Sequence, residues 1–526
     1  MGYYLNPSNK GFAVSLRSEI YVDKSGIIAY TNKVLDTQQK YICVSRPRRF
    51  GKTMTADMLM AYYGRGNDSY SMFENLTIRN EPSFKEHLNQ YHVIFLNMQE
   101  FLTKTHRVRK MIKKIRNKVF EDIKKEYPKF DYTHIEDLPD AMQALFGISN
   151  VPIIFIIDEW DCIFREHKAN KNAQNTYLDF LRALLKDKIY VALAYMTGIL
   201  PIKKYGTHSA LNMFREFSMT DPGEMSEFVG FTQSEVAALC DRYKMDYDEM
   251  AAWYDGYCFP DINIVYNPKS VVDALLSKRF KDYWSQTETF EALSVYIKAN
   301  YDGLKDSIVE LLAGKRKRIN ISNFSNDMVT FKSYDDVLTL LIHLGYLGYD
   351  IETREVYIPN KEISDEFVTA IRDVGWGEII AAIKSSDDLL KATWDEDAQA
   401  VARAIEQAHS EASIIKYNDE NALSCVVSIA YYSARQYYTI HREMPAGKGF
   451  ADLFFQPRKN HMDKPAMIIE LKWDESASGA IQQIKDKQYT DLLNDCKDNA
   501  ILIGINYDKA SKHHECVIER YTLNGL

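Results

Sequence analysis

The sequence predicts an α/β protein with three parts: an N-terminal parallel sheet wrapped by helices, a helical middle region with a winged-helix-like module, and a second α/β domain at the C-terminus. Three observations predict it. Tyr41–Thr53, YICVSRPRRFGKT, runs from a β-prone segment through a basic loop into Gly-Lys-Thr. Val151–Asp161, VPIIFIIDEWD, is an unbroken apolar run that ends in carboxylates, the look of a central parallel strand whose C-terminal end opens onto a site. Near the C-terminus, GFADLFF and AMIIELK place Asp452 on one strand and Glu470 with Lys472 on another.

At 526 residues the chain exceeds one core and divides as 1–220, 221–375 and 376–526. Its 46% hydrophobic and 26% charged residues are those of an ordinary globular protein. The formal net charge of -8 denies it a global electrostatic footprint for nucleic acid, so any such surface must be local. Seven scattered cysteines without a CxxC pair read as reduced core thiols. No signal-peptide pattern and no apolar run of membrane-spanning length is present, and Asn6 stands where myristoylation wants Ser or Thr. The expectation is a cytoplasmic protein with no membrane partner.

Along the chain, Asp23 and Lys24 precede apolar residues at helical spacing, and the P-loop strand follows from Tyr41. The residues after Thr53, MTADMLMAYYG, form a helix closed by Gly64. Tyr91–Met98 is a second buried strand, and Val108–Tyr127 an amphipathic helix. Its outer face carries Arg107, Arg109, Lys110, Lys113, Lys114, Arg116 and Lys118, either a solvated face or a nucleic-acid contact. Ile189–Thr197 is a further strand, and the resulting β-α-β-α alternation implies a parallel sheet. From about residue 220 the pattern turns helical. Val337–Pro359 reads as a helix and two short strands, as in a winged helix, with the basic run Lys315–Arg318 nearby; an interdomain prop is the other reading.

The first stretch has the chemistry of a P-loop: backbone N–H groups of Arg48, Arg49, Phe50 and Gly51 face an anion at a helix start, Lys52 reaches the phosphates of ATP, and Thr53 offers its hydroxyl to Mg²⁺. Arg46 occupies the position of the first glycine, and a charged loop before a helix is the alternative. Asp158 follows Thr53 by 105 residues and is placed to hold Mg²⁺, with Glu159 to activate the attacking water and Thr197 to sense the γ-phosphate. Capping of the next helix is the other use for paired acids.

SRPRRFGKT, IIDEWD, TGILPI, GFTQSEV, WYDGY and VYNPKSV together resemble the AAA-ATPase-like proteins common in gut and other anaerobic bacteria, related to an archaeal ATPase group. The resemblance covers nearly the whole chain and treats Arg46 as a family trait. It implies an AAA-like ATPase domain that uses ATP and Mg²⁺, followed by a PD-(D/E)XK nuclease-like domain.

The residues of the last third carry that arrangement. Period two puts Glu470 and Lys472 on one face; with Asp452 the two carboxylates make a Mg²⁺ pair, and Lys472 orients the nucleophile. In similar nucleases a position like Glu420, at the start of a preceding helix, supplies an extra metal ligand, and Gln483 and Tyr489 match a QI…KxY motif on the helix after the ExK strand. Ala500–Asn506 is expected to complete the sheet. Two function classes stay open: ATP-controlled cleavage of nucleic acid, DNA before RNA, or an NTP-regulated binding or scaffold protein that does not cut, which the net acidity favours. An arginine finger in trans would require a ring or dimer, and no residue is assigned to it.

Overall fold

The computed structural model describes residues 2–129, 135–202, 211–260, 262–284, 290–325, 328–411, 420–493 and 499–521. Two compact units emerge, one from 1–286 with 318–362, the other from 287–317 with 363–526.

The first unit is built on five parallel strands: β1 (Tyr41–Ser45), β2 (His92–Asn97), β3 (Ile153–Asp158), β4 (Val191–Gly198) and β5 (Arg215–Phe217), in the order β2-β3-β4-β1-β5. Every residue of β1, β3 and β4 is buried, which is why these strands read as unbroken apolar runs; helices cover a parallel sheet on both faces. Two of the helices are those the sequence predicts, Lys52–Tyr63 after the loop and Val108–Glu126 after β2, the latter burying Val108, Met111, Ile115, Val119 and Ile123. Parallel register brings Val44 beside Thr197, Ser45 beside Gly198 and Asn97 beside Asp158, so the candidate site residues gather at the C-terminal ends of the strands.

Beyond the sheet, β6 (Phe231–Thr232), β7 (Tyr257–Phe259) and β8 (Asn263–Tyr266) form an antiparallel trio. The helices Gln233–Tyr243, Tyr247–Tyr254 and Pro268–Ser277 pack on it around Val236, Met250, Tyr254, Tyr266 and Val271. A two-residue strand, β9 (Lys317–Arg318), lies at the border of the units. The helix Tyr334–Leu344 and the hairpin of β10 (Gly348–Asp350) with β11 (Glu355–Tyr357) reproduce the expected helix and two strands.

The second unit centres on a mixed sheet, β12 (Tyr438–Ala446), β13 (Gly449–Pro457), β14 (Ala466–Trp473), β15 (Ala500–Asp508) and β16 (His513–Tyr521), in sequential order. Only β14 and β15 are parallel, joined through the crossover helix Ala477–Asp486. Two expectations change here. Ala500–Asn506 does not complete the sheet, because β16 pairs along the outer side of β15. Tyr489 lies beyond the crossover helix, in the 3-10 turn Tyr489–Leu493, after Gln488 takes a left-handed φ of 60° that no helix continues through.

Among the described residues the cysteines are free thiols, while Cys496 falls outside them. No described helix is long and apolar enough to cross a membrane.

Candidate functional site

In the first unit β1 delivers the chain into the loop, and Gly51 caps the helix Lys52–Tyr63 at φ 92°. A Cβ on Gly51 would meet nothing within 4 Å, so the left-handed backbone, not crowding, calls for glycine there. Arg49 also adopts positive φ, 70°, a conformation that costs a non-glycine residue about 1–2 kcal/mol. Its guanidinium donates to the carbonyl of Tyr283 at 2.9 Å and so helps hold the turn. The Phe50 ring is buried edge-on against Tyr257 at 5.4 Å, leaving its peptide as what it can offer a phosphate. Arg48 is half-buried.

Arg46 does not act as a surface cation. Fully buried, it donates through Nη1 to the carbonyls of Ser45 and Phe217, both at 3.0 Å, and lies 5.1 Å from the Phe259 ring. Burial lowers its pKa to about 10. It ties the end of β1 to the end of β5, a backbone bracket in the place of the missing glycine.

Lys52, also buried, donates from Nζ to the carbonyls of Arg46 at 3.0 Å and Pro47 at 2.8 Å. Burial pushes its pKa down against the pull of Glu159 and Asp158. Thr53 Oγ1 donates to Asp158 Oδ2 at 3.0 Å, and the Thr197 hydroxyl donates to Asp158 Oδ1. A hydroxyl and a carboxylate in contact form the hard-oxygen donor set that Mg²⁺ takes. The structure therefore brings Lys52, Thr53, Asp158 and Thr197 together.

Glu159 turns away from strand geometry at φ 54° and pairs with Arg165; burial raises its pKa, and the Arg165 charge opposes the rise. Arg165 and Asp161 are the residues that sequence reasoning missed. Asp161 Oδ2 accepts from the backbone of Ile199 at 3.1 Å and Leu200 at 2.9 Å, and from Arg165 Nε at 3.2 Å. This couples the end of β3 to the segment after β4. The i,i+4 spacing of Asp161 and Arg165 at the start of the helix Cys162–Glu166 was the available signal.

In the second unit, antiparallel register sets Leu453 against Ile469, which brings Asp452 to Glu470. Asp452 Oδ2 accepts from the Leu471 backbone at 2.7 Å. Glu470 is 2% exposed; one oxygen accepts from Gln483 and lies 3.5 Å from Lys472 Nζ, while Oε2 is buried without a hydrogen-bond partner. Burial and then the Asp452 charge push Glu470 up to about 8. Burial, reinforced by the charges of Glu420 and Glu443, pushes Asp452 up to about 6. Two carboxylates that resist ionising together, one with an unsatisfied buried oxygen, fit a divalent cation. Glu420 lies exposed at the start of its helix, close enough for its charge to reach Asp452. Among the described residues no three His, Cys, Asp or Glu side chains converge as a metal cluster, so the structure brings together the pair Asp452 and Glu470, with Lys472 and Gln483, and leaves Glu420 apart.

Comparison with known proteins follows this division. Residues 13–207 match the family described as predicted AAA-ATPase, and residues 418–516 match the PD-(D/E)XK nuclease superfamily. An uncharacterized protein encoded in the vnfD 5' region of Azotobacter chroococcum mcd 1 is 24% identical over 280 residues, 51% of this chain and 51% of that protein. The chain thus spans about half the length of the curated relative it matches. Among solved structures it is similar at 12% identity to the ORC2 protein of Aeropyrum pernix in its ADPNP-ADP complexes, over 70% of this chain and 97% of that one, with a TM-score of 0.32. Cdc6p of Pyrobaculum aerophilum is likewise 12% identical over 70% of this chain and 99% of that one, with a TM-score of 0.26.

Proposed function

From a chain that joins an AAA-ATPase-like domain to a PD-(D/E)XK nuclease superfamily domain, we propose an ATP-binding enzyme that cleaves nucleic acid, DNA in preference to RNA, under control of its nucleotide state. The observation that carries the reading is the coexistence of two assembled clusters: Lys52, Thr53, Asp158 and Thr197 in one unit, and Asp452, Glu470, Lys472 and Gln483 in the other.

At the first site the loop from Arg48 to Gly51 and Lys52 bind the phosphates, and Thr53 with Asp158 would hold Mg²⁺. Thr197 orients Asp158 through its hydroxyl. Glu159 accepts the proton of the attacking water once it exchanges Arg165 for that water. At the second site Asp452 and Glu470 would hold Mg²⁺, which when bound supplies Lewis-acid stabilisation of the charge that develops on the phosphate. Gln483 fixes the Glu470 carboxylate, and Lys472 orients the nucleophile from the same strand face. Residues 221–375 serve as the helical lid and winged-helix-like region. The enzyme works in the cytoplasm.

The test is incubation of wild-type protein with plasmid, single-stranded DNA and RNA, with and without Mg²⁺ and ATP, beside Lys472→Ala. Wild type is expected to cut in Mg²⁺, with ATP changing the rate, and Lys472→Ala to lose cleavage by about a hundredfold or more while binding ATP normally. Cleavage that persists in Lys472→Ala overturns the assignment of the nuclease site. Nucleic acid bound but left intact by wild type selects the non-cutting reading, in keeping with the net charge of -8.

A further inference from the structure

The helix Val108–Glu126 takes no part in either site, and its first half is built against its own stability. From Arg107 to Lys118 there are seven cations and no acid. Arg107 stands at the N-cap and makes no side-chain cap, and the first turn holds no acidic residue. Cations there oppose the positive end of the helix dipole. Arg109 with Lys113 and Lys110 with Lys114 add like-charge pairs at i,i+4, a further unfavourable term.

The surroundings do not relieve this. Lys118 pairs with Glu121 at 2.7 Å, and Arg116 donates to the Glu136 carbonyl at 2.7 Å. Arg107, Arg109, Lys110, Lys113 and Lys114 have no acidic partner among the described residues. The second half of the same helix is different: Glu121 pairs with Lys118 at 2.7 Å, Lys125 lies 3.4 Å from Asp122, the buried Asp122 accepts from the backbone of Tyr3 and Tyr4 at 2.7 Å, and Glu126 accepts from Asn6 at 2.9 Å. The acids of the second half are therefore answered within the fold, and the five cations of the first half are not.

Orientation makes these charges available. Val108, Met111 and Ile115 are buried, and the opposite side presents Arg109, Lys110 and Lys113 exposed, with Lys114 half-buried beside them. No large apolar side chain of this helix is exposed. A protein partner would need apolar or aromatic anchors at the centre of its footprint. A nucleic-acid backbone needs only cations.

We propose that the first half of this helix is a phosphate-binding surface for duplex nucleic acid, which gives the nucleic-acid reading above a contact surface in the ATPase unit, separate from the Asp452–Glu470 pair. The inference rests on that reading. Its test uses the full chain in EDTA, so that binding is measured without metal-dependent cleavage, with a fluorescent 30-base-pair DNA duplex as probe and a salt titration. Two quadruple variants are compared with wild type: Arg109→Gln, Lys110→Gln, Lys113→Gln and Lys114→Gln on this helix, and Lys33→Gln, Lys85→Gln, Lys244→Gln and Arg279→Gln at exposed cations elsewhere on the same unit.

The helix variant is expected to weaken binding and to flatten the slope of log affinity against log salt by about 3 to 4, close to one per lost phosphate contact, while the control keeps the wild-type slope. A melting temperature no lower than wild type, as relief of these repulsions requires, together with unchanged ATP binding establishes that the fold is intact. Equal losses in both variants, or none in the helix variant, overturn the surface while leaving nucleic-acid binding in place. Absence of duplex binding by wild type overturns the surface together with the nucleic-acid reading.

Discussion

The two candidate sites both draw on sheet strands, the C-terminal ends of β3 and β4 in the first unit and the middle of β13 and β14 in the second, yet they handle charge in opposite ways. In the first unit nearly every charge is answered from within: Lys52 by two loop carbonyls, Asp158 by Thr53 and Thr197, and Glu159 and Asp161 by Arg165, with Asp161 Oδ1 left buried without a hydrogen-bond partner. In the second, Asp452 and Glu470 face each other with Lys472 as the nearby cation, and a Glu470 oxygen is buried without a partner. The contrast teaches that the first site is held in shape by its own bonds, whereas the second carries an electrostatic deficit that a divalent cation would make good.

The sharpest way to break this comparison is at Lys52. Lys52→Ala removes the cation that grips the loop, and ATP affinity is expected to fall about tenfold to a hundredfold, the range for a lost charged hydrogen bond. Fluorescent-nucleotide titration measures it, and Mg²⁺ binding at the second site should not change. A wild-type affinity in that variant would show that the loop is not where the phosphates lie.

Next in size is a pH effect on metal binding at the second site. Glu470, ordinarily near 4.5, is raised to about 8, so between those values the folded protein holds a proton that the unfolded chain has released. Stability without metal therefore declines as pH rises through that window. Mg²⁺ binding, which requires the ionised pair, should strengthen by up to about tenfold per pH unit from pH 6 to 8 and level off above. Calorimetry in buffers of different ionisation heat should find about one proton released per ion near pH 6.5, and Glu470→Gln should abolish that release.

The smallest effect tests the bracing of the first site. Gly345 closes the helix Tyr334–Leu344 at φ 89°, and a Cβ there would approach the Pro47 side chain at 2.8 Å; its carbonyl accepts from the Tyr257 hydroxyl at 2.6 Å. Gly345→Ala should cost about 1–3 kcal/mol, read as a lower melting temperature, and weaken ATP binding while leaving Mg²⁺ affinity at the second site alone.

What could be read from the sequence follows from where each signal resides. Strands β1, β3 and β4 were legible because burial on both faces makes them continuous apolar runs, and Gly51, Lys52 and Thr53 because one loop contains them. The pairing of Glu470 with Lys472 needed only the two-residue period of a strand. Strands β12 and β16 were not legible: as the edges of the sheet they are largely half-exposed, and YTIHREMPA and HHECVIERY lack an apolar stripe. Arg46 was illegible for another reason. The Phe217 carbonyl that fixes it is 171 residues away, and no local pattern records a contact of that range.

The grip of Lys52 on the Arg46 and Pro47 carbonyls has a thermodynamic corollary. On the proposed reading, a phosphate arriving at the loop would not meet a waiting ammonium; it would displace two internal acceptors, so association would be an exchange reaction and its constant a ratio of two affinities. Substitutions that alter how tightly those carbonyls compete would retune nucleotide affinity without touching any atom that contacts the nucleotide.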